Sequence, residues 1–129
     1  MSERILKDII SGDDAKTRLL SGINKSADVV SSTFGYRGRT VLIESDYGKA
    51  EPTKDGYKTL QSIFLDDPVE NIALEIAKEA SEKTVKFAGD STTNTIILLQ
   101  AFFANSIEAV KSGKSPIDVK QEIEKSRDL

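Results

Sequence analysis

Apolar residues recur every three or four positions along four stretches of the chain, and this spacing predicts four helices. The first predicted helix covers residues 13 to 31, and the second covers residues 68 to 87. The third covers residues 91 to 112, and the fourth covers residues 115 to 129. Each of the last three begins beside the Ser, Asp or Pro residues that are typical of helix N-termini.

The third predicted helix differs from the others because apolar side chains surround most of its circumference. A helix of this kind is expected to be central and buried, with neighbours on most sides. Its apolar residues are Ile96, Ile97, Leu98, Leu99, Phe102, Phe103, Ile107 and Val110.

Extended structure is predicted only between the first two helices. Residues 40 to 44 are rich in β-branched side chains and indicate a strand. Tyr47 and Gly48 indicate a turn, and residues 51 to 53 indicate a short return strand with Pro52 at a sheet edge. A two-stranded hairpin is marginally stable by itself. The pattern therefore predicts a mainly α fold with a small β-hairpin, as the N-terminal part of a larger fold.

Composition narrows the possible chemistry. The 129 residues fit one small domain and carry a net charge of −3, which argues against nucleic-acid binding. The chain contains no cysteine and no histidine, so any metal must be held by oxygen, and histidine-based catalysis is excluded. The first ten residues lack the apolar core of a secretory signal, and the longest apolar run is too short to span a bilayer. We therefore expect a cytoplasmic protein that does not contact membranes.

The loop of residues 89 to 94 reads Gly-Asp-Ser-Thr-Thr-Asn and leads directly into the third predicted helix. The first N–H groups of a helix have no intrahelical partner and carry partial positive charge, so small residues at this junction favour anion binding. Asp90 adds a carboxylate, which is compatible with phosphates when a cation such as Mg²⁺ lies between them. The alternative is an ordinary helix N-cap, which favours the same residue types.

Two further segments carry candidate chemistry. Residues 33 to 39 form a loop with two glycines and two arginines, which could bind phosphate through its N–H groups. The alternative is a helix C-terminus followed by a turn. Residues 53 to 56 read Thr-Lys-Asp-Gly, in which Asp55 could orient a water molecule or assist a metal. The alternative there is an Asp-Gly turn.

Taken together, the order and spacing of these three segments resemble the N-terminal equatorial segment of the group I chaperonins, the GroEL type. That family typically shows T-L-G-P-K-G-R, then T-K-D-G, then G-D-G-T-T-T before a long apolar helix. The corresponding segments here read T-F-G-Y-R-G-R, T-K-D-G and G-D-S-T-T-N. Weaker matches extend the resemblance over nearly the whole chain.

The resemblance implies that residues 1 to 129 are part of an equatorial, ATP-binding domain in a ring-forming ATPase that drives protein folding. It implies ATP, Mg²⁺ and potassium as cofactors. It also implies unfolded client proteins, a co-chaperonin and the other subunits of a homo-oligomeric ring as partners. The apical, intermediate and C-terminal equatorial parts of the family would lie beyond residue 129.

The resemblance also implies roles for individual residues. Asp55 would position the attacking water, Lys54 would lie near the phosphates, and Asp90 would hold Mg²⁺. The other residues implied to contact the nucleotide are Thr33, Phe34, Gly35, Tyr36, Ser91, Thr92, Thr93 and Asn94.

Three positions depart from the family pattern. Tyr36 replaces a proline, Ser91 replaces a glycine and Asn94 replaces a threonine. A glycine matters where the backbone needs a positive φ or a close approach to phosphate. We therefore expect a nucleotide affinity that is weaker than, or altered from, that of a typical family member.

Three functions remain open from the sequence. The first is the N-terminal piece of an ATP-hydrolysing chaperonin, in which the 129 residues alone are hydrolytically incomplete. The second is a short, non-hydrolysing paralogue that docks into or regulates a full-length ring. The third is a helical domain in which the Asp- and Thr-rich segments only cap helices. We expect the isolated 129 residues to be poorly soluble or to self-associate, because the third predicted helix lacks its remaining neighbours.

Overall fold

A computed structural model describes residues 7–129, which form five helices and one two-stranded sheet. The elements are α1 (Gly12–Ser31), β1 (Val41–Glu44), β2 (Ala50–Thr53), α2 (Gly56–Ser62), α3 (Pro68–Ala88), α4 (Thr92–Lys111) and α5 (Pro116–Arg127). The predicted mainly α fold with a small hairpin is confirmed. The four predicted helices correspond to α1, α3, α4 and α5, and the ends agree to within one or two residues.

Helix α2 is absent from the sequence prediction, because its seven residues are too few to show a helical period. Its start is specified by Asp55, whose Oδ1 accepts hydrogen bonds from the N–H groups of Tyr57 at 2.8 Å and Lys58 at 3.2 Å. This is standard N-capping by aspartate. The Asp55-Gly56 pair therefore begins a helix and does not form the Asp-Gly turn that was the alternative.

Helices α1 and α3 pack closely along their lengths. The approach is tightest at Gly22, where an added Cβ would lie 2.4 Å from the backbone oxygen of Glu70. On either side, Arg18 donates from Nη2 to Asp67 Oδ2 at 2.7 Å, and Lys25 donates to Glu70 Oε2 at 2.6 Å. The Arg18 guanidinium holds the pKa of the Asp67 carboxyl below its usual range. These contacts fix the register of the two helices.

The hydrophobic core lies where α1, α2, α3 and α4 meet. Its buried members are Ile23, Ala27, Val30, Leu60, Ala73, Leu74, Ala77 and Ile96. Burying one Leu or Ile side chain contributes about 2 kcal/mol. Because α2 contributes the fully buried Leu60, this short helix is part of the core and is held in a defined position.

The prediction that the third helix is central and buried is wrong for one face of the helix. Along α4, burial is confined to Thr92, Ile96 and Ile107. Leu98 is 56% exposed and Phe102 is 49% exposed. The physical reason is that α1, α2, α3 and α5 together pack against only part of its surface.

Strands β1 and β2 form an antiparallel hairpin in which Leu42 pairs with Pro52 and Ile43 pairs with Glu51. The turn includes Gly48, whose φ of 69° requires the freedom of glycine. A two-stranded ribbon leaves the outer edge of each strand open, which is where a proline is tolerated. None of the helices within residues 7–129 combines the length and the apolar character needed to cross a membrane.

Candidate functional site

The three glycine-containing segments of the sequence meet at Gly56, the first residue of α2. A Cβ added at Gly56 would lie 2.5 Å from Thr93 Oγ1 in α4 and 3.5 Å from Thr33 Oγ1 in the loop after α1. It would also lie 3.3 Å from Val30 Cγ1. The fold therefore brings together segments that are separated by roughly twenty and forty residues of sequence. The sequence pattern does not mark Gly56 as a site residue.

The loop that follows α1 is held by hydrogen bonds to backbone carbonyl oxygens of the loop and of the end of α1. Thr33 donates from Oγ1 to the Val30 carbonyl oxygen at 2.7 Å, and Gly38 donates from its N–H to the Gly35 carbonyl oxygen at 3.0 Å. Gly35 has a φ of 78°. A Cβ at Gly38 would lie only 2.3 Å from the Thr33 carbonyl oxygen, so a side chain at Gly38 would open the loop.

Of the five side chains in this loop, one is buried and four, including those of Arg37 and Arg39, are exposed. Thr33 is buried, whereas the Phe34 ring is half exposed and the Tyr36 ring is fully exposed. Both rings are therefore accessible to a ligand. The turn after a helix C-terminus, which was the alternative interpretation of this segment, describes its local backbone correctly, since Ser32 and Thr33 both donate N–H groups to carbonyls of α1.

Helix α4 begins without a capping side chain. Ser91 occupies the N-cap position, yet its side chain makes no capping hydrogen bond. Its φ is 76°, and it is the single non-glycine residue with a positive φ among the described residues 7–129. The first intrahelical bond at this end runs from the Thr95 N–H to the Ser91 carbonyl oxygen at 3.0 Å. The N–H groups of the first turn are therefore left for an external acceptor.

The remaining residues of this segment surround that helix end. Asp90 is exposed, and its Oδ1 accepts the Ser91 N–H at 2.6 Å. Thr92 is buried, Thr93 is half-buried and Asn94 is exposed. The carboxylate and the free N–H groups thus lie within a few residues of one another, at the same end of α4.

The Thr-Lys-Asp-Gly segment links the hairpin to α2. The Asp55 N–H donates to Thr53 Oγ1 at 3.1 Å, and both capping bonds of Asp55 fall on Oδ1. Lys54 is exposed. The structure therefore places Asp55 and Lys54 immediately before Gly56, the residue on which the three segments converge.

A separate apolar groove of about 580 Å³ lies between α1, α4 and α5. Its lining residues are Lys16, Leu19, Phe103, Ser106, Ile107, Val110, Pro116, Val119, Lys120, Ile123 and Glu124. None of them belongs to the three segments that meet at Gly56. The groove lacks the glycines and the uncapped helix N-terminus found at that site, and Glu124 is its one carboxylate.

Comparisons of the sequence and of the structure with known proteins both identify chaperonins. Residues 27–129 match the model of the TCP-1/cpn60 chaperonin family. Over 122 residues the chain is 39% identical to Chaperonin GroEL 1 of Rhodopirellula baltica, an alignment that covers 95% of this chain and 21% of that protein.

The fold is similar to crystal structures of the chaperonin gp146 from the Pseudomonas aeruginosa bacteriophage EL, obtained in the presence of ATP-BeFx. For one crystal form the TM-score is 0.69 at 28% identity, covering 82% of this chain and 18% of gp146. For another the TM-score is 0.66 at 32% identity, covering 71% and 17%. The chain thus spans about a fifth of the length of these relatives. The resemblance to the GroEL type is confirmed, and the chain belongs to the TCP-1/cpn60 chaperonin family.

Proposed function

We propose that this chain is the N-terminal part of an equatorial domain that binds ATP with Mg²⁺ and potassium. The complete protein would be a cytoplasmic chaperonin ATPase that works as a ring, folds unfolded client proteins and cooperates with a co-chaperonin. The apical, intermediate and C-terminal equatorial parts would lie outside these 129 residues. Family membership supports the chaperone role, and the site geometry supports the nucleotide.

The observation that carries the proposal is the convergence at Gly56. Thr33 approaches from the loop after α1, and Thr93 approaches from the first turn of α4. A purely capping role for each segment would not require this convergence, since a cap acts on its own helix. Three segments that each offer N–H groups or hydroxyls, and that meet at a residue without a side chain, fit a ligand with several oxygen atoms.

The start of α4 suits the phosphates of that ligand. A helix N-terminus carries partial positive charge, and its first N–H groups point away from the helix towards an acceptor. Because the Ser91 side chain does not cap the helix, a phosphate oxygen can accept from these N–H groups without displacing a capping side chain. The hydroxyl of Thr93 and the amide of Asn94 add further donors in the same turn.

Asp90 fits the role of the Mg²⁺ ligand. Its carboxylate is exposed next to the helix N-terminus, and Mg²⁺ is commonly held by one or two carboxylates together with phosphate oxygens and water. Within residues 7–129, no three acidic side chains lie close enough together to hold a metal ion by themselves. Phosphate and water would therefore supply the remaining ligands, and the ion would neutralise the charge of the phosphate oxygens.

Lys54 and Asp55 complete the proposed site. Lys54 would add positive charge near the phosphates, and Asp55 would orient the attacking water through the carboxylate oxygen that does not cap α2. Phosphoryl transfer depends mainly on such positioning and charge neutralisation. Phe34 and Tyr36 would provide accessible rings beside the nucleotide.

The phage chaperonin gp146, which is similar to this chain in fold, was crystallised in the presence of ATP-BeFx. This supports a nucleotide as the ligand of the corresponding site here. We propose a weaker affinity than in a typical family member, because Ser91 must adopt a left-handed conformation that a glycine adopts without strain.

The test is titration calorimetry of the chain with ATP in the presence and absence of Mg²⁺. We expect Asp90→Ala to abolish the Mg²⁺-dependent part of the binding. Asp46→Ala, which removes an exposed aspartate from the hairpin turn, should leave the binding unchanged. Equal affinity for Mg²⁺-ATP in the Asp90→Ala variant and the unaltered chain would contradict the proposed site.

A further inference from the structure

Two threonine hydroxyls connect α3 to α4 beside the loop that precedes α4. Thr84 Oγ1 and Thr95 Oγ1 lie 3.0 Å apart, and both side chains are partly buried. Thr95 Oγ1 also lies 3.0 Å from the Ser91 carbonyl oxygen, and Thr84 Oγ1 lies 3.0 Å from the Ala80 carbonyl oxygen. Two hydroxyl protons serve these three contacts, so one contact is without a proton at any time. When Thr95 donates to the Ser91 carbonyl oxygen, the hydroxyl-to-hydroxyl bond forms only if Thr84 donates to Thr95 instead of to the Ala80 carbonyl oxygen.

The loop between the two threonines contains a strained backbone. Ser91 has a φ of 76°, a conformation that typically costs a residue with a side chain about 1–3 kcal/mol. Such strain persists only where the surrounding structure enforces it. The Ser91 side chain makes no capping bond, so the enforcing contacts must come from elsewhere.

Asp90 accepts the Ser91 N–H at 2.6 Å, and Thr95 holds the carbonyl side of the same residue. The N–H and the hydroxyl of Thr95 are each 3.0 Å from the Ser91 carbonyl oxygen. Both groups can therefore donate to the carbonyl of the strained residue. Thr84 in turn fixes the Thr95 side chain to α3. Thr84 and Thr95 are eleven residues apart in the chain. The bond between their hydroxyls therefore joins the two ends of the segment that contains Ser91.

We propose that Thr84 and Thr95 are positioning residues for the phosphates of a nucleoside triphosphate. Neither residue belongs to the set assigned above to contact the nucleotide. Their bond sets the distance between the end of α3 and the start of α4. It thereby holds Ser91 in the left-handed conformation that leaves the first N–H groups of α4 open. This inference rests on the proposed function, because it concerns the same phosphate site.

The test compares Mg²⁺-ATP dissociation constants for Thr84→Val and Thr84→Ser. Valine matches the shape of threonine but removes the hydroxyl, and we expect it to weaken binding about tenfold. Serine keeps the hydroxyl, and we expect binding within about twofold of the unaltered chain. Ser106→Ala is the matched control, because within residues 7–129 the hydroxyl that it removes bonds to the Phe102 carbonyl oxygen alone, farther along α4. It should leave the dissociation constant unchanged.

A second measurement follows the loop without nucleotide. Hydrogen exchange of the Thr95 N–H, which donates to Ser91, should accelerate about tenfold in Thr84→Val even though Thr95 itself is unaltered. Thermal unfolding shows whether each variant folds. If Thr84→Val does not fold, Thr95→Val replaces it.

The possible outcomes distinguish the proposed nucleotide binding from the positioning role of the two threonines. If the unaltered chain does not bind Mg²⁺-ATP, the proposed function is overturned together with the ligand named here. If the unaltered chain binds but Thr84→Val binds equally well, only the positioning role is overturned. The same holds if Thr84→Ser is as weak as Thr84→Val, because the methyl group would then matter and the hydroxyl would not.

Discussion

Replacing Gly56 by alanine tests the convergence on which the proposed site depends. The new Cβ would lie 2.5 Å from Thr93 Oγ1, whereas ordinary contacts of this kind are about 3.5 Å or more. One of the two groups must therefore move by about 1 Å. Inserting a methyl group into a packed site usually costs about 1–3 kcal/mol, and the lower unfolded-state entropy of alanine returns about 0.5–1 kcal/mol. We expect Gly56→Ala to lower the free energy of unfolding by about 1–2 kcal/mol.

A double-mutant cycle identifies the clash as the cause. Thr93→Ala removes the oxygen that the new Cβ would meet, so it should recover about 1 kcal/mol in the Gly56→Ala background. The assay is urea unfolding of all four proteins, followed by circular dichroism. The new Cβ would still lie 3.3 Å from Val30 Cγ1 in the double variant, so recovery need not be complete.

Gly22→Ala provides the matched control. Its Cβ would meet the backbone of Glu70 at 2.4 Å, which cannot rotate away, and Thr93 is not among the atoms that it would meet. Thr93→Ala should therefore not rescue Gly22→Ala. Additive free energies in the Gly56–Thr93 cycle would refute the reasoning, because they would mean that α2 and α4 do not meet as described.

Three further predictions concern stability, pH and association. Ser91→Gly should raise the free energy of unfolding by about 1 kcal/mol in urea, because it relieves a φ of 76° and removes no capping bond. The pKa of Asp67 is lowered in the folded protein, first by its hydrogen bond from Arg18. Its contribution to stability is complete above the usual carboxyl pKa and is lost as the pH falls through the lowered one, so the urea midpoint should drop as the pH falls below the usual carboxyl pKa. Exposed Leu98 and Phe102 should drive self-association of the isolated chain, and replacing both by Gln should shift sedimentation towards monomer.

Each of these three predictions has a control variant. Ser112→Gly makes the same change at the other end of α4, where φ is −81°, and should destabilise the protein. Asp67→Asn can still cap α3 but cannot titrate, so part of the acid-induced drop should disappear; an identical pH profile would contradict the assignment. Phe87→Gln removes another exposed ring. If it disperses the chain as well as the Leu98 and Phe102 replacements do, association does not depend on the exposed face of α4.

Much of the fold could be predicted because its signals are local. Asp67 accepts N–H groups from the first turn of α3, and Ser115 accepts one from the first turn of α5. Each bond joins residues two or three positions apart, so consecutive letters of the sequence encode it. Helix α2 was not predictable in the same way, because seven residues carry no clear period and Asp55-Gly56 is equally typical of a turn.

The candidate site, like the fold, could be predicted from the sequence only in part. The sequence alone determined which segments carry glycines, hydroxyls and carboxylates, and their order determined the family. Only the tertiary structure decided that these segments meet, that Ser91 has a positive φ, and that α4 leaves Leu98 and Phe102 in solvent. The reason is that a periodic pattern marks which faces are apolar but not which neighbours cover them. Thr33, Gly56 and Thr93 come together because Val30, Leu60 and Ile96 pack in one core, and such contacts join residues far apart in the chain.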